Sequence, residues 1–133
     1  MTQDDKEILL KDLSARLPYG VICYDEAQKE NGIFKTFEYE GFGRIHNGRG
    51  LRFIENIKPY LFPLSSMTEE QKQEYTYIMN YISPDDTDNW KEGEFIYVEQ
   101  FTQLMHFYHI NHLDYRGLIP KDLAIDATGL GIY

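Results

Sequence analysis

Residues 33–57 read IFKTFEYEGFGRIHNGRGLRFIENI. Over Ile33–Glu40 apolar and polar side chains alternate, with Ile33, Phe37 and Tyr39 on one face and Thr36, Glu38 and Glu40 on the other. A period of two marks a half-buried strand, and only Phe34 and Lys35 interrupt it. Gly41 and Gly43 flank Phe42, where a bend or bulge is expected. Asn47-Gly48 follows, a pair suited to a type I′ hairpin turn because both of its central residues need positive φ. The turn joins a strand ending near His46 to one over Leu51–Ile57. With the short strand Val21–Asp25 upstream, the segment predicts an antiparallel meander of three or four strands, able to curl into a partial barrel.

Both flanks are helical. At the N-terminal side Thr2 can cap a helix whose first turn carries Asp4, Asp5 and Glu7 and whose last turns carry Lys11 and Arg16. Leu9, Leu13 and Leu17, with Ile8 and Leu10 beside them, supply its apolar stripe, and Pro18 stops it. Beyond the meander, KPYLFPL at 58–64 contains Pro59 and Pro63, which predicts an extended segment at a sheet edge. Thr68 followed by Gln71 forms a capping box for a second helix, with Tyr75, Ile78, Met79 and Ile82 as its buried stripe. Residues 85–94 form a polar loop, and Phe95–Val98 fits either a short strand or a helix entry. Phe101, Leu104, Met105 and Tyr108 recur at helical spacing, giving a helix over about 99–112. The fold class is therefore α+β: an N-terminal helix, a small antiparallel meander and two C-terminal helices, in a single domain over residues 1–133.

Composition narrows the class of function. Hydrophobic residues make up 42% and charged residues 26%, an ordinary globular balance, but eleven Tyr, eight Phe and one Trp are an aromatic excess. Tyrosine suits both core edges and interfaces, since its ring is buried while its hydroxyl keeps a partner. No apolar run approaches the roughly 20 residues needed to span a bilayer, so no membrane partner is expected. Cys23 is the single cysteine and can form no intramolecular disulfide; with an N-terminus lacking signal-peptide character, the expected location is the cytoplasm.

The net charge of −9 is unevenly spread. Residues 1–40 carry five basic and nine acidic side chains, and residues 65–133 four basic and twelve acidic. Between them, residues 41–64 carry Arg44, Arg49, Arg52 and Lys58 against Glu55 alone. The chain as a whole is a poor polyanion binder, because such binding depends on displacing counterions with Lys and Arg. The local exception gives a candidate binding set, Phe42, Arg44, His46, Arg49 and Arg52, in which bases can stack on aromatics and phosphates meet arginine. The same patch suits an acidic protein surface equally well.

His106, His109 and His112 repeat every third residue, with Asp114 close behind. Successive members lie about 60° apart around a helix, so adjacent pairs can share an ion but three cannot meet one ion from a regular helix. His106 and His109 are the candidate metal ligands. The competing reading places these histidines on the polar flank and end of a helix, where positive charge is favourable. Other motifs fail on their own terms. An EF-hand loop needs glycine sixth and glutamate twelfth, and a start at Asp85 puts Trp90 and Ile96 there, a start at Asp86 Lys91 and Tyr97. Residues 41–50 lack the Gly-Lys-Ser/Thr of a phosphate loop. Cys23 has no helix start beside it to lower its pKa, and no serine has a nucleophile-elbow context. No cofactor is implied.

Three stretches, KDLSARLPYGV at 11–21, KPYLFPLSSMTEEQ at 58–71 and HINHLDYRGLIPKDLAIDA at 109–127, resemble a group of small uncharacterised proteins of gut anaerobic bacteria and their prophages and mobile elements. The resemblance is weakest over 22–57 and 80–100. It implies a bacterial or phage accessory role and assigns no catalytic residue. The expectation is a non-enzymatic accessory protein that binds another protein. A nucleic-acid-associated protein using the 42–53 hairpin, and a metal-dependent enzyme using the 106–112 histidines, are the alternatives.

Overall fold

The computed structural model describes residues 1–39, 42–45, 52–80 and 90–133, and side chains over 1–34, 54–80 and 99–133. Helix α1 spans Gln3–Arg16. Thr2 caps it in a reciprocal box: its hydroxyl accepts from the Asp5 N–H at 3.1 Å, and the Asp5 carboxylate accepts from the Thr2 N–H at 3.2 Å. A single 3-10 turn over Leu17–Tyr19 follows, with Pro18 inside it, and Gly20 at φ 68 turns the chain into the sheet. Strands β1 (Ile22–Asp25), β2 (Glu30–Tyr39), β3 (Phe42–Ile45) and β4 (Arg52–Phe53) are successive antiparallel neighbours, as the alternation predicts. The β2–β3 ladder slips between Phe34 and Thr36 and again between Phe37 and Tyr39, so the interruption at Phe34 and Lys35 is a true irregularity of the pairing. Phe34, which breaks the alternation, is 1% exposed and a core residue, whereas Ile33 is half-buried. The Asn47-Gly48 turn lies outside the described residues.

The proline-rich segment departs from expectation. Strand β5 (Ile57–Pro63) is interior, paired with β1 on one edge and with two short C-terminal strands on the other. These are β6 (Leu113–Asp114) and β7 (Ile125–Asp126), both parallel to β5, so the sheet is mixed and larger than the antiparallel meander alone. The prolines are tolerated because of where they fall: β7 pairs with Tyr60 and Leu61 and β6 with Phe62 and Pro63, so pairing on that edge starts after Pro59 and ends at Pro63. The strand order is β4-β3-β2-β1-β5-β6, with β7 also on β5; among the described residues this path has two ends and does not close into a barrel.

Helix α2 (Glu69–Met79) is capped as its sequence predicts: the Thr68 hydroxyl accepts from Gln71 N–H at 3.1 Å and the Gln71 side chain from Thr68 N–H at 2.9 Å. Helix α3 runs from Trp90 to Ile110, so it starts nine residues before the expected boundary and takes in the end of the expected polar loop. Phe95–Val98 is therefore helix and not strand. No described helix is long and apolar enough to cross a membrane. The interior has two apolar clusters. One joins Leu9 and Leu13 of α1 with Val21, Cys23, Phe34, Ile57, Leu61 and Leu118; the other joins Ile78 of α2 with Phe107, Tyr108 and Leu113.

Candidate functional site

The polar groups with most chemical capacity meet at the seam between these two clusters. Asp12 and Arg16 lie one helical turn apart on α1, beside Leu9 and Leu13, and so are carried inside with the apolar stripe. Both side chains are fully buried, with Arg16 Nε donating to Asp12 Oδ2 at 2.7 Å. Arg16 Nη2 then donates to the Leu113 carbonyl at 2.6 Å, tying α1 to the second cluster. Arg116 Nε stands 3.3 Å from Asp12 Oδ1, close enough for an ion pair but without the alignment of a hydrogen bond. Burial pushes the Asp12 carboxyl above its ordinary range, while the charge of Arg16, its hydrogen bond and the charge of Arg116 oppose the shift.

Tyr115 occupies the centre. Its ring is close to both guanidiniums, with the Arg16 and Arg116 carbons 5.3 and 5.1 Å from its centroid. It stacks on Tyr108 at 4.8 Å and 14°, and its hydroxyl shares a 2.7 Å hydrogen bond with His109 Nε2. The next residue back, Asp114, accepts from the Leu118 and Ile119 N–H groups at 2.8 and 2.9 Å, which closes the turn after β6 around Gly117 at φ 72.

The histidines are separated in role. His106 is exposed, and its Nδ1 lies 2.9 Å from the Tyr19 hydroxyl. His109 is 7% exposed; burial and then the charges of Arg16 and Arg116 hold its pKa down to about 4. The Tyr19 ring contacts both imidazoles, at 5.5 and 5.3 Å. His112 sits past the end of α3 at φ 54, half-buried, and burial with the Arg16 charge holds it at about 4 as well. The polar-flank reading thus fits His106 alone. His109 and His112 are kept neutral because desolvation outweighs any benefit of charge at a helix end.

The two metal candidates, His106 and His109, are neighbours on one face and share contact with the Tyr19 ring, but each is hydrogen-bonded to a different phenol. Among the described residues no three His, Cys, Asp or Glu side chains are grouped to hold an ion. Of the binding set, Phe42, Arg44 and Arg52 lie on β3 and β4, where Phe42 pairs with Phe53, Gly43 with Arg52 and Arg44 with Thr36. His46 and Arg49 lie outside the described residues. Cys23 is fully buried and its thiol is pushed up by desolvation, which suits a core residue and not a nucleophile.

Sequence reasoning placed Arg16 at the helix end for its charge and missed its pairing with Asp12. The available signal was the i,i+4 spacing of opposite charges next to leucines within KDLSARLPYGV. The seam brings together two of the three resembling stretches: 11–21 supplies Asp12, Arg16 and Tyr19, and 109–127 supplies His109, Asp114, Tyr115 and Arg116. No family model matches the chain, and neither a curated protein nor a solved structure matches it.

Proposed function

We propose that the protein is a non-enzymatic accessory protein that works by binding another protein, in a bacterial or phage setting. The observation that carries this reading is the inward use of its reactive groups. Asp12, Arg16, Arg116, His109 and Tyr115 face one another at the seam between the two apolar clusters, although Asp12 Oδ1, Arg16 Nη1 and Arg116 Nε make no hydrogen bond there. Such networks fix how elements pack. What remains outside suits a protein interface: Tyr77 and Phe101, on α2 and α3, are 68% and 62% exposed. Exposed aromatic rings on an acidic body are better matched to a protein surface than to a polyanion.

The test is affinity capture of the chain from its own cells at low salt. The expected result is one different protein at a fixed ratio. Recovery of nucleic acid alone would transfer the function to the 42–53 hairpin, and one equivalent of bound metal would transfer it to His106 and His109. Recovery of the chain by itself would count against all three.

A further inference from the structure

Extending the β1–β5 register by one step from Cys23 and Pro59 sets Ile22 opposite Tyr60. In an antiparallel ladder the Ile22 N–H would reach the Tyr60 carbonyl directly. Here a phenol stands between them: Ile22 N–H donates to the Tyr133 hydroxyl at 2.9 Å, and that hydroxyl donates to the Tyr60 carbonyl at 2.8 Å. The hydroxyl's donor and one of its acceptor sites are both used. The ring stacks flat on the His112 imidazole at 3.7 Å and 10° and meets the Phe62 ring at 5.9 Å and 49°, while Tyr133 stays 43% exposed. The chain that delivers this ring is exposed over 128–131 and turns at Gly129 and Gly131, φ 75 and 65, which glycine takes without steric cost. It is anchored at its start, where the Asp126 carboxylate accepts from the Thr128 N–H at 2.9 Å and the Thr128 hydroxyl at 2.6 Å, and the Leu130 N–H donates to the Ala127 carbonyl at 3.1 Å.

We propose that the gap between β1 and β5 at Ile22 and Tyr60 is a phenol-binding slot, occupied in cis by Tyr133. The slot selects a phenol over any other ring on three counts. A backbone donor and a backbone acceptor sit one hydroxyl apart, and an imidazole face covers the ring. Toluene fills the same volume but leaves both backbone groups unpaired, which sets a preference for phenol of about tenfold or more. The ligand class is a tyrosine side chain or a free phenol, which share this chemistry. The slot does not depend on the partner-binding reading, since it concerns a phenol and two backbone groups that are all on this chain.

The experiment uses the full chain carrying Tyr133→Ala, melted with and without p-cresol, toluene or N-acetyl-tyrosinamide. The expected result is a lower Tm than the wild-type chain, raised in a saturable way by p-cresol and much less by toluene, with no response of the wild-type chain. A response to N-acetyl-tyrosinamide equal to that of p-cresol assigns the slot to a tyrosine side chain, and a response to p-cresol alone assigns it to a free phenol. Equal effects of p-cresol and toluene, or an equal response of wild type and variant, overturn the proposal. Should Tyr133→Ala fail to fold, Tyr133→Phe keeps the ring and removes the hydroxyl. Amide hydrogen exchange at Ile22 should then quicken by about tenfold, from loss of one hydrogen bond. Unchanged exchange at Ile22 overturns the proposal equally.

Discussion

At the residue scale, the Asp12–Arg16 pair sets the character of the molecule. Two charges with no solvent exposure gain from each other only while both are present. Asp12→Ala, or Arg16→Met alone, should therefore cost about 3–5 kcal/mol by urea unfolding, because each strands a buried charge. The double variant Asp12→Leu/Arg16→Met should cost less than either single change, since both fully buried charges are gone and only the partly exposed Arg116 loses its partner. Equal additive losses would mean that the pair is not acting as a unit. The buried histidines give a second outcome. His109 and His112 take up protons in the unfolded chain near 6.5 but in the folded chain only near 4. The unfolded state thus binds more protons across that window, so stability is complete above about pH 6.5 and falls as pH drops toward 4. Urea midpoints measured from pH 7 to pH 4 should decline, and His109→Gln should shallow the decline.

At the element scale, local chemistry was legible where one side chain decides the outcome. Thr2 and Thr68 cap α1 and α2 as read from sequence, because a capping box involves only residues three apart. Thr68→Ala should cost about 1 kcal/mol in urea unfolding, the ordinary worth of a cap. Elements set by distant partners were not legible. β5 reads as an edge strand from Pro59 and Pro63, yet becomes interior because β6 and β7, each two residues long, come from residues 113–126 to pair between the prolines. Strands that short carry no periodicity of their own. Their placement depends instead on Asp114, whose carboxylate holds the Leu118 and Ile119 N–H groups. Gly117 completes that turn at φ 72 with nothing within 4 Å of an added Cβ. Gly117→Ala should cost only backbone strain, about 1 kcal/mol, while Asp114→Ala should cost about 2–3 kcal/mol by leaving two N–H groups without their anionic acceptor. Equal losses in the two variants would show that the carboxylate does not anchor the turn.

At the scale of the whole molecule, the class of fold followed from the alternation at 33–40 and the helical stripes on either side, whereas the seam did not. Nothing in KDLSARLPYGV or HINHLDYRGLI says that Arg16 will meet the carbonyl of Leu113, some 97 residues away. That contact depends on α1 and the C-terminal segment packing against each other. The histidines show the same limit: their spacing suggests ligands or a charged flank, and only the packed structure reveals that His106 hydrogen-bonds Tyr19 while His109 hydrogen-bonds Tyr115. The seam is therefore read as architecture, and function as the binding of a partner at the surface. The measurement that tests this most directly is capture of the partner by the Asp12→Leu/Arg16→Met chain, once it is shown to be folded. The account predicts a partner ratio equal to that of the wild-type chain. A folded double variant that has lost its partner would contradict it, and would make the buried pair part of the functional site.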